Sequence, residues 1–159
     1  MTLTAPLDRL DARITGWLAR HGVTLTRLSL GIVFFWFGIL KFFPGWSPAQ
    51  ELAIQTIGVI TFGKLSPHAS LMILATWEVL IALGLLSGRF LRATLLLLAL
   101  QMVGTFLPLV LFPRETFHIV PLAPTLEGQY IIKNLVLISA GMVVGATVRG
   151  GRLVPYQKA

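Results

Sequence analysis

Four long stretches of the chain consist almost entirely of apolar residues, with polar or turn-forming residues between them. They cover residues 25–43, 67–87, 91–112 and 130–148. An α-helix needs about 20 consecutive apolar residues to cross the hydrocarbon core of a bilayer, and each stretch approaches or exceeds that length. The pattern therefore predicts an all-α fold, an integral membrane four-helix bundle that occupies residues 1–159 as a single domain.

An amphipathic pattern precedes the first span. Between residues 6 and 20 apolar side chains recur at helical spacing and charged side chains occupy the opposite face; the apolar ones are Leu7, Leu10, Ile14, Trp17 and Leu18. Gly22 follows and is typical of a helix end. Basic amphipathic helices with a tryptophan on the apolar face are typical of segments that lie in the headgroup plane. Packing of this helix against the protein's own loops is the alternative.

A short helix is predicted between the first two spans. Ser47-Pro48-Ala49-Gln50 has the residues of a capping box with proline at the first helical position. The helix that it begins extends to about Phe62, and Glu51 and Gln55 make it too polar and too short for a span. We therefore expect an interfacial or re-entrant helix. Ser66-Pro67 repeats the start signal and begins the second span.

Proline and glycine mark the second half of the chain. Pro108 is expected to bend the third span near its end. Residues 113–129 are rich in proline and are predicted to form a loop. In the fourth span Gly141 and Gly145 have GxxxG spacing, which indicates close packing of this helix on another.

Composition supports a membrane protein. The chain is 55% hydrophobic and 12% charged, whereas soluble domains carry roughly 25% charged residues. It has no cysteine, which excludes disulfides, thiol redox chemistry, thiolate-bound zinc and cysteine-ligated iron–sulfur clusters in this chain. The net charge of +7 does not indicate nucleic-acid binding, because the basic residues flank apolar segments and form no patch.

The basic residues also predict an orientation. With four spans, both termini and the turn at Gly88 share one side of the membrane. That side holds nine of the 13 lysines and arginines, and the other side holds Lys41, Lys64, Arg114 and Lys133. Because lysine and arginine are enriched in cytoplasmic segments, we expect both termini in the cytoplasm.

Polar residues within the spans are the candidates for chemistry. Glu78 lies eleven residues after Pro67, about 16 Å along the second span and near the bilayer centre. Gln101 is the mirror position across the turn at Arg89, so an antiparallel hairpin places both side chains at one depth. A protonated Glu78 is expected to donate a hydrogen bond to the Gln101 carbonyl oxygen. Thr105 lies one turn further along the same face as Gln101.

Two lysines are candidates to reach Glu78. Lys133 lies about 6 Å below the outer surface and Lys41 lies nearer to it, so depth favours Lys133. Ionisable residues inside a membrane are functional candidates by default, and this set predicts a site for a polar headgroup, a quinone or a proton. The alternative is that Glu78 is neutral and hydrogen-bonded, and serves packing and orientation, because buried polar groups also join helices.

No metal site is predicted. His68, His118 and Glu127 are expected near the outer surface, but they lack the spacing of a zinc or haem motif. The chain has no nucleotide-binding, metalloprotease or hydrolase signature. No catalytic residue is therefore assigned, and any activity would require a partner or a bound quinone.

Two motifs connect the chain to a known family. The first span contains Arg27-x3-Gly31-x2-Phe34-x3-Gly38-x2-Lys41, and the second contains Glu78-x5-Gly84 followed by Gly88-Arg89. With these motifs the chain resembles the DoxX family of small four-helix bacterial membrane proteins over most of its length, from Arg27 to Gly145. The stretch LKFFPGWSPAQELA resembles a subgroup with a helical insertion after the first span. The resemblance implies that Arg27, Lys41 and Glu78 occupy recurrent polar positions of the family.

The resemblance also implies a functional class. The family is named after a subunit of a thiosulfate:quinone oxidoreductase, and other members are associated with membrane redox and oxidative-stress systems. We therefore expect an accessory or quinone-facing subunit in the bacterial inner membrane, with Glu78, Gln101 and Lys133 around a quinone headgroup and electrons from an oxidoreductase partner subunit. The alternatives are a non-catalytic carrier of a lipid or small amphiphile, and a structural membrane scaffold. Each is compatible with a homo-oligomer in the bilayer.

Overall fold

The computed structural model describes residues 4–154, and helices joined by short connections make up most of it. The elements in chain order are α1 (Thr4–Leu40), α2 (Gln50–Ile60), α3 (Pro67–Ser87), α4 (Leu91–Phe106), α5 (Pro108–Leu111), α6 (Pro113–Thr116), β1 (Phe117–Ile119), β2 (Ala123–Pro124) and α7 (Leu126–Thr147). The predicted all-α class is confirmed, because the two strands have only three and two residues and both lie in the connection between α6 and α7.

Four helical stretches are long and apolar enough to cross a membrane. They are Leu7–Leu40, Pro67–Ser87, Leu91–Leu111 and Leu126–Thr147. Each also carries exposed apolar side chains on its outer face, such as Ile32, Leu80, Val103 and Val136. Exposed apolar surface on helices of this length indicates contact with lipid. The chain is therefore a multi-pass membrane protein.

The most extensive helix pair is formed by α1 and α3, which run antiparallel. Glycines on α1 make their approach close: a Cβ atom at Gly31 would lie 2.9 Å from Leu86 Cγ, and one at Gly38 would lie 3.0 Å from Glu78 Cβ. The motif residues from Arg27 to Lys41 recur at spacings of three and four, so they share one helix face, and the glycines of that face pack on α3. The central core lies where α1, α3 and α4 meet and contains Leu30, Phe34, Ile81, Ala82, Leu85, Leu98 and Met102.

The fourth long helix, α7, packs against α1 and α4. Cβ atoms at Gly141 and Gly145 would each lie 3.4 Å from a leucine of α4, Leu98 and Leu95 respectively. The GxxxG face is therefore the face that packs on another helix, as its spacing predicted.

The predicted helix end at Gly22 is wrong. α1 continues through it as one helix of 37 residues, about 55 Å long, whereas the hydrocarbon core is only about 30 Å thick. A single glycine costs a helix interior about 1 kcal/mol relative to alanine and does not end it unless a second helix-breaking signal follows. Here Thr26 follows and donates its hydroxyl hydrogen to the Gly22 carbonyl oxygen at 2.8 Å. The amphipathic segment is thus continuous with the first span.

The predicted capping box at Ser47 is also wrong. α2 begins at Gln50, after Ala49 in the left-handed region with φ 54°, and no side chain caps its N-terminus. The Gln50 side chain instead accepts a hydrogen bond from the Gly45 amide at 2.9 Å, which closes the turn after α1. By contrast, the start signal at Ser66 is confirmed, since its hydroxyl oxygen accepts from the Ala69 amide at 3.2 Å.

The segment predicted as a loop, residues 113–129, has regular structure. It contains α6, an antiparallel pairing of β1 with β2, and the first turn of α7. Thr125 begins α7 earlier than predicted, because its hydroxyl accepts from the Gly128 amide at 3.2 Å while donating to the Glu115 carbonyl at 2.7 Å. Pro108 was predicted to bend the third span, and the helix is interrupted at this point: α4 ends at Phe106 and α5 begins with Pro108.

Candidate functional site

A buried polar cluster joins three helices within the membrane-spanning region. Glu78 on α3 is 8% exposed. Its Oε2 atom accepts a hydrogen bond from Lys41 Nζ at 2.7 Å, and its Oε1 atom accepts one from Gln101 Nε2 at 2.7 Å. We refer to Lys41, Glu78 and Gln101 as the polar cluster. Glu78 therefore faces the bundle and lies opposite Gln101, as the hairpin argument predicted.

The direction of the hydrogen bond to Gln101 differs from the prediction. From the sequence, Glu78 was expected to be protonated and to donate to the Gln101 carbonyl oxygen. In the structure the Gln101 amide donates and Glu78 accepts at both oxygens. Lys41 Nζ lies 2.7 Å from the other carboxylate oxygen.

Lys41, and not Lys133, is the lysine that reaches Glu78. Lys41 follows directly after α1, and its Nζ atom also donates to the Phe37 carbonyl oxygen at 3.3 Å. Lys133 is exposed on α7, with Nζ 5.7 Å from the centre of the Tyr130 ring. Depth along the chain was a poor criterion because it does not fix the direction in which a helix presents a side chain. α7 packs on α1 and α4 and turns Lys133 outward.

The position of Lys41 depends on the close approach at Gly38. A Cβ atom at Gly38 would lie 3.0 Å from Glu78 Cβ and 3.2 Å from the Val79 amide nitrogen. On the other side of the cluster, Trp77 Nε1 donates to the Leu97 carbonyl oxygen at 3.2 Å and joins α3 to α4 one turn before Gln101. These two contacts fix the three helices around Glu78.

One atom of the polar cluster lacks a partner. Gln101 Oε1 is buried and has no hydrogen-bond partner among the residues that the structure describes. Thr105, one turn further on α4, donates its hydroxyl hydrogen to the Gln101 main-chain oxygen at 3.0 Å. Thr105 is thus near the cluster, but its proton is used by the backbone.

Arg27 lies outside the polar cluster. Its guanidinium Nη1 atom donates to the carbonyl oxygens of Leu85 and Leu86 in the last turn of α3, the latter at 3.2 Å. It also packs against Gly88, which ends α3 with φ 69°. A cation at a helix C-terminus satisfies unpaired carbonyl groups and compensates the helix dipole. The arginine that the family resemblance grouped with Lys41 and Glu78 is therefore about 21 Å along α1 from Lys41.

A second polar region lies at the end of the bundle that contains the N-termini of α2 and α7. A cavity of about 530 Å³ is lined by several residues there, including Gln50, Glu51, Glu115 and Glu127. Glu127 was a candidate from the sequence, whereas Glu51 and Glu115 were not, since the three line one cavity only in the packed structure. Within residues 4–154, no group of three or more His, Asp or Glu side chains is placed to hold a metal ion. His68 and His118 accordingly form no such group in the described chain.

Comparisons with family models, curated proteins and solved structures find no match for this chain.

Proposed function

We propose that this chain is a DoxX-like subunit of a bacterial membrane redox system and that its polar cluster binds the headgroup of a membrane quinone. The observation that carries the proposal is the burial of Glu78 between a cation and an amide from two other helices. Charged side chains inside a membrane are costly, and by default they are candidates for sites that bind substrates, ions or protons.

The hydrogen-bonding capacity of the cluster fits such a headgroup. An ammonium group has three N–H donors, and two of those of Lys41 are directed at Glu78 and at the Phe37 carbonyl oxygen. The third is available to a quinone oxygen. The exposed apolar faces of the surrounding helices give the tail of the molecule a lipid environment.

The chain would be an accessory subunit. Without cysteine it has no thiol redox centre and no cysteine-ligated iron–sulfur cluster. Electrons would therefore come from a partner subunit, and this chain would position the quinone. A quinone bound at the cluster would accept two of those electrons together with two protons and become a quinol.

Organic extraction and mass spectrometry of the gently purified protein test this proposal. We expect a stoichiometric quinone in the wild type and its loss in Glu78→Gln, which removes the charge while keeping the size of the side chain. Glu51→Gln is the matched control, because Glu51 is an exposed carboxylate on α2. The proposal fails if the wild type carries bulk phospholipid alone, or if both variants keep the quinone equally.

A structural junction is the second candidate function. Both carboxylate oxygens of Glu78 are already hydrogen-bonded within the chain, which is what a polar group that joins helices requires. Under this hypothesis Glu78→Gln lowers stability and changes no ligand content. The extraction experiment separates the two functions.

The orientation that we propose places both termini in the cytoplasm. The supporting evidence is the excess of arginine and lysine on the side of the termini and the turn at Gly88.

The first half of α1 would then contact the cytoplasmic leaflet. Leu7 and Ile14 precede the exposed span residues Leu25 and Ile32 by 18 residues each, which is five complete turns. The exposed apolar stripe of this half therefore continues the lipid-facing side of the first span. A bend away from the bundle would lay that stripe on the headgroups.

A further inference from the structure

The amide orientation of Gln101 determines what the polar cluster offers to a ligand. Gln101 Nε2 is directed at Glu78 Oε1 at 2.7 Å, so Oε1 of the same amide points away from the carboxylate. That oxygen is buried without a partner among the described residues. A buried acceptor that lacks a donor loses the hydrogen bonds that water would have supplied.

Rotating the amide by half a turn does not remove the problem. The rotation would place the amide oxygen against Glu78 Oε1, an oxygen that also acts as an acceptor, and would leave the NH₂ group in the unpartnered position. Lys41 Nζ lies 2.7 Å from the other carboxylate oxygen, and both oxygens of Glu78 act as acceptors in the structure. Gln101 Oε1 is therefore the group that remains to be satisfied.

The nearby donors are committed elsewhere. The Thr105 hydroxyl donates to the Gln101 main-chain oxygen at 3.0 Å, and the Trp77 indole donates to the Leu97 main-chain oxygen at 3.2 Å. Lys41 donates to Glu78 Oε2 and to the Phe37 carbonyl oxygen, and among the described residues it makes no hydrogen bond to Gln101 Oε1. A donor to this oxygen would therefore come from outside these side chains.

We infer that the headgroup bound at the polar cluster carries a hydroxyl group that donates a hydrogen bond to Gln101 Oε1. This inference depends on the proposed function and specifies its ligand. A quinone has carbonyl oxygens and offers no donor, whereas its reduced form, a quinol, has two hydroxyl groups. A diacylglycerol supplies the same chemistry from a lipid source. The cluster therefore selects the hydroxylated headgroup over one that only accepts hydrogen bonds.

Binding to the purified protein in nanodiscs tests the inference with four probes: a short-tailed benzoquinol kept reduced, the benzoquinone with the same tail, the dimethyl ether of that quinol, and a diacylglycerol. The dimethyl ether keeps both oxygen atoms and removes both donors. We expect the quinol to bind about tenfold more tightly than the ether and the quinone, which corresponds to about 1.4 kcal/mol. Gln101→Met should abolish this preference, and Gln55→Met, at an exposed glutamine of α2, should keep it.

The outcomes separate the inference from the proposed function. Equal affinities for quinol, quinone and ether would overturn the inference and leave quinone binding intact. Binding of the diacylglycerol alone would support the hydroxyl donor and overturn the redox role. No binding of any probe would overturn both. The wild-type comparison of quinol with ether depends on no variant, so misfolding of Gln101→Met cannot mask the result.

Discussion

Replacing Lys41 by methionine measures what the ion pair with Glu78 contributes to the bundle. Methionine keeps the unbranched shape of lysine and removes its charge. The variant leaves the Glu78 carboxylate, 10% exposed at its side chain, with Gln101 as its remaining partner. Glu78→Gln produces the opposite situation, in which Lys41 keeps its charge and loses its counter-ion.

The two variants should differ in magnitude. Removing one partner of a buried ion pair costs about 3–5 kcal/mol when the remaining charge stays buried, and we expect a loss in that range for Lys41→Met. Lys41 follows the last residue of α1 and has a long flexible stem, so it can extend toward the headgroups when unpaired. Glu78→Gln should therefore cost about 1 kcal/mol, similar to one interhelical hydrogen bond in a membrane. The double variant should show a favourable coupling energy of about 2–3 kcal/mol.

The measurement is the free energy of unfolding in mixed micelles, obtained by titration with a denaturing detergent for the wild type, both single variants and the double variant. Lys133→Met is the matched control, because this lysine is exposed on α7 and should change stability by less than about 0.5 kcal/mol. If Lys41→Met costs no more than Lys133→Met, the ion pair does not hold α1 to α3. The assignment of Lys41 to the site would then be wrong.

Three further predictions concern substitutions outside the ion pair. Gly22→Ala should stabilise α1 by about 0.5–1 kcal/mol, since nothing lies within 4 Å of the new methyl group. Gly38→Ala should instead destabilise the protein, because its new methyl group would lie 3.0 Å from Glu78 Cβ. Equal effects of the two variants in the same unfolding titration would contradict this packing. Arg27→Gln should cost about 2 kcal/mol through lost hydrogen bonds to α3 without changing quinone content, and a loss of quinone in the extraction assay would refute their separation. Because the chain lacks cysteine, a cysteine at Arg89 should be labelled from the cytoplasmic side only; labelling from outside would overturn the orientation.

The membrane fold follows from local sequence. Apolar stretches of sufficient length must form helices in a bilayer, because every backbone polar group needs a partner there. Serine–proline and glycine residues correctly marked several helix boundaries, among them the start of α3 at Ser66 and its end at Gly88. The signals failed at Gly22, where α1 continues through the glycine, and at Ser47, where α2 begins only at Gln50, whose side chain accepts from the Gly45 amide.

Part of the polar cluster could also be predicted. A short turn between α3 and α4 fixes their relative depth, so positions equally far from the turn must lie opposite each other. That argument found Glu78 and Gln101 from the sequence alone, and the hydrogen bond between them is present. The face of α1 that contains Gly31 and Gly38 was likewise readable from helical spacing.

The tertiary structure decided which charge completes the cluster. Sequence gives the depth of a residue along a helix, but the rotation of that helix against its neighbours depends on packing over its whole length. Close approach at Gly38 carries Lys41 to Glu78, while the packing of α7 on α1 and α4 turns Lys133 outward. The sequence by itself thus determined a membrane bundle with a buried carboxylate and amide. Only the packing of the helices determined the lysine that pairs with the carboxylate and the amide oxygen that remains unpaired among the described residues.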